Sequence, residues 1–449
     1  MTQFFANNNV PGVSGLSTSR STTLSVLDVG SSKICCMIAK LRPQNTIRGG
    51  EGQLLPGRSH SIEVLGFGHQ RSRGIKSGVV QDMDEAEQAI RLAIDGAERS
   101  AGLTVDSLLL AVNAGRLGSD TYSSSIRLGG REVERGDVND VLAAGHAHAQ
   151  RDDRSILHAL PIGYTLDAEH GIKDPVSMVG QELGVDMHVV SADSAPLRNL
   201  ENCINRSHLS VDGMVAAPYA AGLSALVDDE ARMGCACIDM GGGTTSVSIF
   251  LGGRLVFADA VALGGHHVTM DLARCLSTPV RDAERLKVLH GKAVHVQMDE
   301  AELVAVPPMG DDPHVMPGQV SVATLSQIIR PRLEETFEFV RERINRSGFA
   351  GAIGNRFVLT GGASQLTGVS EVAARVFAAN IRLGRPLGVS GLPKTAKGPA
   401  FAASAGLLIY PQISGAEYVA RDSLSARILA RTNGGGAFAR MGRWLKESF

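Results

Sequence analysis

The chain carries almost no net charge, no paired cysteines and no long apolar run, and each shortage closes off a class of function. Its 44 Lys and Arg stand against 46 Asp and Glu, so no global field draws it to nucleic acid. Six cysteines, Cys35, Cys36, Cys203, Cys235, Cys237 and Cys275, include no CxxC pair. Cys35, Cys235 and Cys237 fall inside apolar strands, so the set reads as buried free thiols of a reducing cytosol rather than disulfides or a zinc site. The histidines offer no metal site either: His146 and His148 point to different helix faces, and His266 and His267 are adjacent. No segment reaches the roughly 18 apolar residues that a membrane-spanning helix needs; the uncharged stretch 213–227 is short and contains Pro218. The first 23 residues are polar and rich in Ser and Asn, which predicts a disordered extension and not a signal peptide. A length of 449 residues leaves room for two to four domains.

What is present is one motif written twice, LSVLDVGSSKICCMIAKL at 24–41 and CACIDMGGGTTSVSIFLGG at 235–253. Each is an apolar strand ending in Asp, then small residues, then a second strand, which predicts a β-hairpin with a phosphate-sized turn. Gly30 and the run Gly241, Gly242, Gly243 let the backbone approach a ligand and take positive φ, so that N–H groups can face phosphate oxygens. Ser31, Ser32, Thr244 and Thr245 add hydroxyl donors and Lys33 a positive charge. Asp28 and Asp239 would repel phosphate directly; their natural task is to hold the water shell of Mg²⁺. One such turn is usually only a tight hairpin, but two in matching context suggest a nucleotide held between related halves.

Three further signals extend this reading. FVLTGGASQLTG at 357–368 is strand, then Gly361 and Gly362, then a helix whose N-terminus faces the phosphates. In RDAERLKVLHG, Glu284 and Lys287 share a helix face, where they could border a nucleoside or merely form an exposed ion pair. The helical spacing of 82–102, with Asp82 or Asp84 as cap, the strand LLLAVNA, the helix DVNDVLAAGHAHAQ and the strand SILHALPIGYTLD together predict a self-contained α+β insert at 84–167. Small residues at 216, 217, 220, 221 and 225 suit a helix pressed against a neighbour. Residues 42–60 read as a long hairpin loop, and Pro331 is expected to kink or divide the amphipathic helix that follows Ser321.

After Tyr410 the sheet pattern ends, and the chain crosses a Gly-rich linker to AFARMGRWLKESF. Phe438, Met441, Trp444, Leu445 and Phe449 form one apolar face carrying the only tryptophan, flanked by Arg440, Arg443 and Lys446. That is the pattern of an interfacial amphipathic helix on a tether, although a terminal helix docked on its own core has a similar pattern.

Two phosphate hairpins, a Gly-Gly turn and two small-residue connecting helices resemble the actin, Hsp70 and sugar-kinase superfamily. Within it, SRGIKSGVV (72–80), LHALPIGYTLDAEHGIKDPVSMVG (157–180), ALGGHHVTMDLARCLSTPVRDAERLKVLHG (262–291) and the terminal RWLKESF resemble the bacterial FtsA cell-division family. The resemblance implies an α/β, actin-like two-lobed fold of duplicated ribonuclease-H-like domains, with an SHS2-like insert replacing an actin subdomain. Its subdomains would be 24–83 with 168–232, the insert at 84–167, 233–275 with 347–410, and 276–346, followed by a flexible linker at 411–436 and a membrane-targeting helix at 437–449. It implies ATP and Mg²⁺ as ligands. Asp28, Gly30, Ser31, Ser32 and Lys33 would form the first phosphate turn and Asp239 with Gly241 to Thr245 the second, the two Asp holding Mg²⁺ through water, and Glu284, Lys287, Gly361 and Gly362 would surround the nucleoside. It also implies self-assembly, a cytoplasmic inner-membrane surface at the septum, the FtsZ tail as a partner near Arg332, and later division proteins on the insert. No catalytic residue is assigned, which favours a binding protein with weak ATPase activity at most over a sugar kinase. Only 39 residues follow Tyr410, too few for an Hsp70-like substrate domain. An actin-like pilus-assembly adaptor would share the insert but not the amphipathic terminus.

Overall fold

The computed structural model describes residues 16, 20–43, 59–310 and 316–419. Most of the N-terminal extension, most of the 42–60 loop and the whole segment 437–449, expected to be a terminal helix, lie outside the described residues; the first strand already begins at Thr22.

Two sheets of one design make up the core. In the first, β1 (Thr22–Val29), β2 (Lys33–Pro43) and β3 (His60–Arg71) form an antiparallel meander, and β6 (Ser107–Val112) and β11 (Ser210–Ala216) extend it in parallel, in the order β11-β6-β1-β2-β3. In the second, β12 (Cys235–Met240), β13 (Thr245–Leu251) and β14 (Arg254–Val261) repeat the meander, and β17 (Arg356–Thr360) and β18 (Asn380–Leu383) repeat the parallel pair. The register agrees as well: Asp28 lies beside Ala111, and Asp239 beside Thr360. The doubled sequence motif is therefore the first hairpin of a doubled domain.

Short strands β4 (Ile75–Lys76) and β5 (Val79–Val80) lead into α1 (Met83–Ala101). Asp82 caps this helix by accepting from the Asp84 and Glu85 amides, and Gly102 closes it in the left-handed region, as the sequence predicts. Ala86, Ala89, Ile90, Ala93, Ile94 and Ala97 are buried on its inner face.

The insert boundaries need correction. Because β6 pairs in parallel with β1, α1 and β6 belong to the first lobe and not to an insert at 84–167. The separate unit is β7 (Gly118–Arg127), α2 (Arg135–Ala149), β8 (Arg154–Leu166), β9 (Glu169–Ile172) and β10 (Glu182–Asp193), with its own sheet ordered β7-β10-β8-β9 and its own core around Val141, Leu183 and Met187. It interrupts the first lobe between β6 and β11, and α3 (Ser194–Arg206) returns the chain.

In the second lobe, α5 (Asp228–Met233) precedes β12. The extra elements lie earlier in the repeat, between β14 and β17: α6 (Gly265–Cys275), α7 (Val280–His290), the hairpin β15 (Leu303–Val306) and β16 (Gly318–Ser321), α8 (Val322–Arg346) and α9 (Ala350–Ile353). Helix α8 runs unbroken through Pro331, contrary to the expected division. Proline cannot donate to the Gln327 carbonyl, yet Leu325 and Ile329 before it and Leu333, Phe337, Val340 and Ile344 after it all bury on one face. Packing of that stripe outweighs the lost bond. Helix α10 (Val369–Phe377) then leads to β18.

Helices α4 (Ala217–Ala225) and α11 (Ala402–Ile409) join the lobes and pack on each other. Every residue of both is buried. A Cβ at Gly406 would sit 2.9 Å from the Ala220 Cα and closer still to its carbonyl, so the small residues permit backbone-to-backbone contact.

The linker also begins later than the sequence suggested. Residues 411–419 are docked and not free: Gln412 Oε1 accepts from the Ser59 and His60 amides, each at 3.1 Å, and the Tyr418 amide donates to the Ala159 carbonyl at 2.8 Å. Glu417 is buried, 5% exposed at its side chain. His158 Nε2 accepts from the Ala216 amide at 2.9 Å, so Nδ1 carries the proton and donates to Glu417 Oε2 at 2.9 Å, beside the Tyr410 hydroxyl at 3.1 Å. This strap ties the end of α11 to the insert, and residues 420–436 of the expected linker lie outside the described residues.

Candidate functional site

Both phosphate turns close in the same way. The Gly30 amide donates to the Lys33 carbonyl at 3.0 Å, and the Gly241 amide donates to the Thr244 carbonyl at 2.9 Å. These i to i+3 bonds fix the loops that follow Asp28 and Asp239. The expectation of positive φ is corrected: Gly30, Gly241, Gly242 and Gly243 are not among the glycines with positive φ. Their value is room. A Cβ on Gly242 would strike Ser32, and one on Gly243 would come within 2.5 Å of Ser31 Oγ. The jaws therefore meet face to face, the serines of one turn against the glycines of the other. The Ser77 hydroxyl crosses to the Gly243 carbonyl at 3.3 Å, and Ser31 Oγ accepts from the Gly78 amide at 3.3 Å.

The acidic pair sits behind these turns. Asp28 Oδ2 accepts from Ser404 Oγ at 3.0 Å and faces Lys33 Nζ at 3.5 Å, and Lys33 also lies 4.4 Å from the centre of the Phe401 ring. Burial first, and then the Asp28 carboxylate, push the Asp239 carboxyl up to about 7 against the pull of Lys33. A buried carboxyl raised beside a second carboxylate gathers hard oxygen donors at one place, and such donors suit Mg²⁺ through its waters. Thr245, expected as a phosphate donor, is fully buried with an unpartnered hydroxyl, while Thr244 meets Asn113.

Glu284 and Lys287, expected beside a nucleoside, share one hydrogen-bonded group with Thr269. Lys287 Nζ donates to Gly265 O at 3.0 Å, to Thr269 Oγ1 at 2.8 Å and to Glu284 Oε2 at 2.7 Å, and Thr269 also bonds Glu284. Burial raises the Glu284 carboxyl, but the charge and hydrogen bond of Lys287, with Thr269, outweigh it and hold it below the ordinary value. A Cβ on Gly265 would come within 3.1 Å of the Ala363 Cβ and 3.7 Å of Lys287 Nζ, which places α7 near the turn at 361–363. Gly361 has φ +87°, and a Cβ there would meet Met240 N and O at 2.6 and 2.5 Å and press on Asp239. The helix expected directly after Gly362 is a 3-10 turn at 362–365, and α10 begins only at Val369. The helix N-terminus that does touch a phosphate turn is α6: the Gly265 and His266 amides donate to the Gly241 and Gly242 carbonyls at 2.9 and 2.7 Å.

Arg332 lies apart from this cleft, on α8. Its guanidinium grips Asp271 of α6 with Nε at 2.6 Å and Nη2 at 3.2 Å, and also bonds Glu335. The sequence reading missed Ser77, Asn113, Gly265 and Ser404, single small or polar residues whose only signal is their place at the end of an element. Five of the cysteines are buried and Cys275 is exposed, all free. Among the described residues no His, Cys, Asp and Glu cluster could hold a metal by itself, and no helix is long and apolar enough to cross a membrane.

Comparison with known proteins agrees with this layout. A family profile described as "Cell division protein FtsA" matches residues 236–406, and one described as "SHS2 domain inserted in FTSA" matches 114–191, the same unit that the sheet topology isolates. The cell division protein FtsA of Rhizobium meliloti is 57% identical over 444 residues, covering 99% of each chain. The FtsA of Escherichia coli K12 is 29% identical over 430 residues, covering 94% of this chain and 97% of its own. Among solved structures, the PilM-PilN type IV pilus biogenesis complex matches with TM-score 0.57 at 15% identity over 87% of this chain and 98% of its own. MreB5 of Spiroplasma citri bound to ADP matches with TM-score 0.51 at 14% identity over 88% and 97%. At such identities these two likenesses establish the actin-like fold alone.

Proposed function

The chain belongs to the FtsA family of bacterial cell-division proteins, and from that premise we propose that it is an ATP-binding, self-assembling adaptor with weak ATPase activity at most. It ties the FtsZ ring to the cytoplasmic face of the inner membrane at the septum and recruits later division proteins through its insert.

The observation that carries the nucleotide part is the meeting of two identically closed turns, Gly30 to Lys33 and Gly241 to Thr244, between the lobes. The turn hydroxyls of Ser31, Ser32 and Thr244 and the ammonium of Lys33 bind and orient phosphate, and Glu284, Lys287, Gly361 and Gly362 border the nucleoside. A bound Mg²⁺, its waters held by Asp28 and Asp239, supplies the charge that neutralises phosphate. The MreB5 neighbour, solved with ADP, supports a nucleotide in this fold. Membrane attachment rests on the sequence pattern of Phe438, Met441, Trp444, Leu445 and Phe449 with Arg440, Arg443 and Lys446, which suits an interface with anionic headgroups. The pilus-complex neighbour supports no rival function at 15% identity.

The partner reading keeps Arg332 as the contact for the FtsZ tail, with Asp271 and Glu335 as the groups from which an arriving tail has to draw it. A labelled FtsZ C-terminal peptide is expected to co-sediment with anionic liposomes only when the intact chain is added. Arg332→Gln, which keeps a donor toward Asp271 but removes the charge, is expected to lose the peptide and remain on the lipid. No peptide in the pellet at any chain concentration would sink the anchoring role, and full retention by Arg332→Gln would move the contact elsewhere.

A further inference from the structure

We infer that Asn113 is a positioning residue by which the cleft tells a nucleoside triphosphate from a diphosphate. The inference rests on the nucleotide reading above and adds to it a discriminating group.

The second phosphate turn has two distinguishable ends. At one end the Gly241 carbonyl accepts from the Gly265 amide at 2.9 Å, and Gly265 adjoins Ala363 and Lys287. That end faces the nucleoside. At the other end Thr244 Oγ1 accepts from Asn113 Nδ2 at 2.7 Å. A phosphate chain that leaves the nucleoside and follows the turn therefore delivers its last phosphoryl group to Thr244 and Asn113.

The doubling of the fold gives Asn113 a counterpart. Asp28 is in register with Ala111 and Asp239 with Thr360, so Asn113, two residues past Ala111, corresponds to Gly362. Where the second lobe needs no side chain beside the nucleoside, the first lobe places an amide across the cleft. The bond joins the lobes, because β6 belongs to one and β13 begins beside Thr244 in the other.

The chemistry favours a terminal phosphate. A hydroxyl that accepts from an amide N–H keeps its own proton to donate, so Asn113 turns the Thr244 proton outward to a phosphate oxygen. The remaining amide atom, Asn113 Oδ1, is buried and has no hydrogen-bond partner. Buried acceptors are rarely left so. A water held by the third phosphate would satisfy it, and a diphosphate brings no group to that place. Ser77, which bonds the adjacent Gly243 carbonyl, closes the same end.

The test measures Mg-ATP and Mg-ADP affinities of the intact chain by calorimetry, beside Asn113→Ala and Asn113→Asp. Loss of the bond that orients the Thr244 hydroxyl predicts ATP binding weakened by up to about tenfold in Asn113→Ala, with ADP binding changed less than about twofold. Asn113→Asp keeps the shape and so guards against a folding defect. Its carboxylate accepts the hydrogen bond of the Thr244 hydroxyl and repels phosphate, so its ATP loss is larger and ADP again changes little. A parent chain without preference for ATP, ATP and ADP affinities that fall together, or affinities that do not move would overturn the inference. A parent chain that binds neither nucleotide would instead overturn the nucleotide reading on which it rests.

Discussion

Gly406→Ala is expected to loosen the joint between the lobes and weaken nucleotide binding together, although it adds one methyl group far from any phosphate. The new Cβ would press on the carbonyl, carbonyl carbon and Cα of Ala220 at once, all backbone atoms that no rotamer change can move. The helices must separate, and they are pinned: Ser224 Oγ donates to the Ala402 carbonyl at 2.6 Å, and all of α4 and α11 is buried. Overpacking a close-packed site costs about 1–3 kcal/mol and at times more, and contact with rigid backbone places this variant at the upper end. Ser404, two residues away, holds Asp28 at 3.0 Å, so displacement of α11 withdraws a partner from the acidic pair. Thermal melting and Mg-ATP titration of the same preparation check both effects. A variant that melts with the parent would show that the two helices are not in backbone contact.

Asp239→Asn is expected to reduce Mg-ATP affinity by about thirtyfold to 150-fold, on the scale of a lost charged contact of about 2–3 kcal/mol, and also to remove its pH dependence. Without a cation the Asp239 carboxyl is raised from 3.8 to about 7. A raised carboxyl stabilises the fold while it is protonated. That contribution is complete below the unfolded value near 4 and is lost as pH rises through about 7. Binding runs the other way, because holding the waters of Mg²⁺ requires the ionised form. The parent chain should therefore gain Mg-ATP affinity between about pH 6 and 8, up to about tenfold per pH unit below 7, while its nucleotide-free melting temperature falls over the same interval. Asn has no charge to lose and should flatten both curves. A parent affinity constant across that range would remove Asp239 from the cation shell.

The two hairpins are legible in the sequence because their signal is local: an alternating strand, an Asp, small residues, a second strand. Glu284 and Lys287 are legible for the same reason, three residues apart on one helix. The insert boundary is not, since α1 and β6 look like any helix and strand until the pairing of Asp28 with Ala111 places them in the first sheet. Pro331 misleads because the rule it breaks is local and the stripe from Leu325 to Ile344 that overrides it is tertiary. The strap misleads in the opposite direction. Residues 411–419 have no apolar period, and they are fixed by Glu417 and Tyr418 finding His158 and Ala159 more than 250 residues earlier. Asn113 and Ser404 are each one polar residue among apolar neighbours, and only the folded chain shows that they reach Thr244 and Asp28.

The described chain ends at Tyr418 and Val419 beside the insert and not at α11, and the terminal peptide follows from there. Each apolar residue of the peptide contributes on the order of 1–3 kcal/mol at full burial, much of it offset by ordering a short helix. One copy should hold a membrane weakly, and an assembled row of copies firmly. The most direct test of nucleotide-switched assembly at a membrane is co-sedimentation with anionic liposomes across protein concentration, with and without Mg-ATP, for the intact chain and for Trp444→Glu. The account predicts a steep, concentration-dependent rise for the intact chain only with Mg-ATP, and no pelleting by Trp444→Glu at undiminished ATP affinity. Equal pelleting with and without Mg-ATP, or undiminished pelleting by Trp444→Glu, would contradict it.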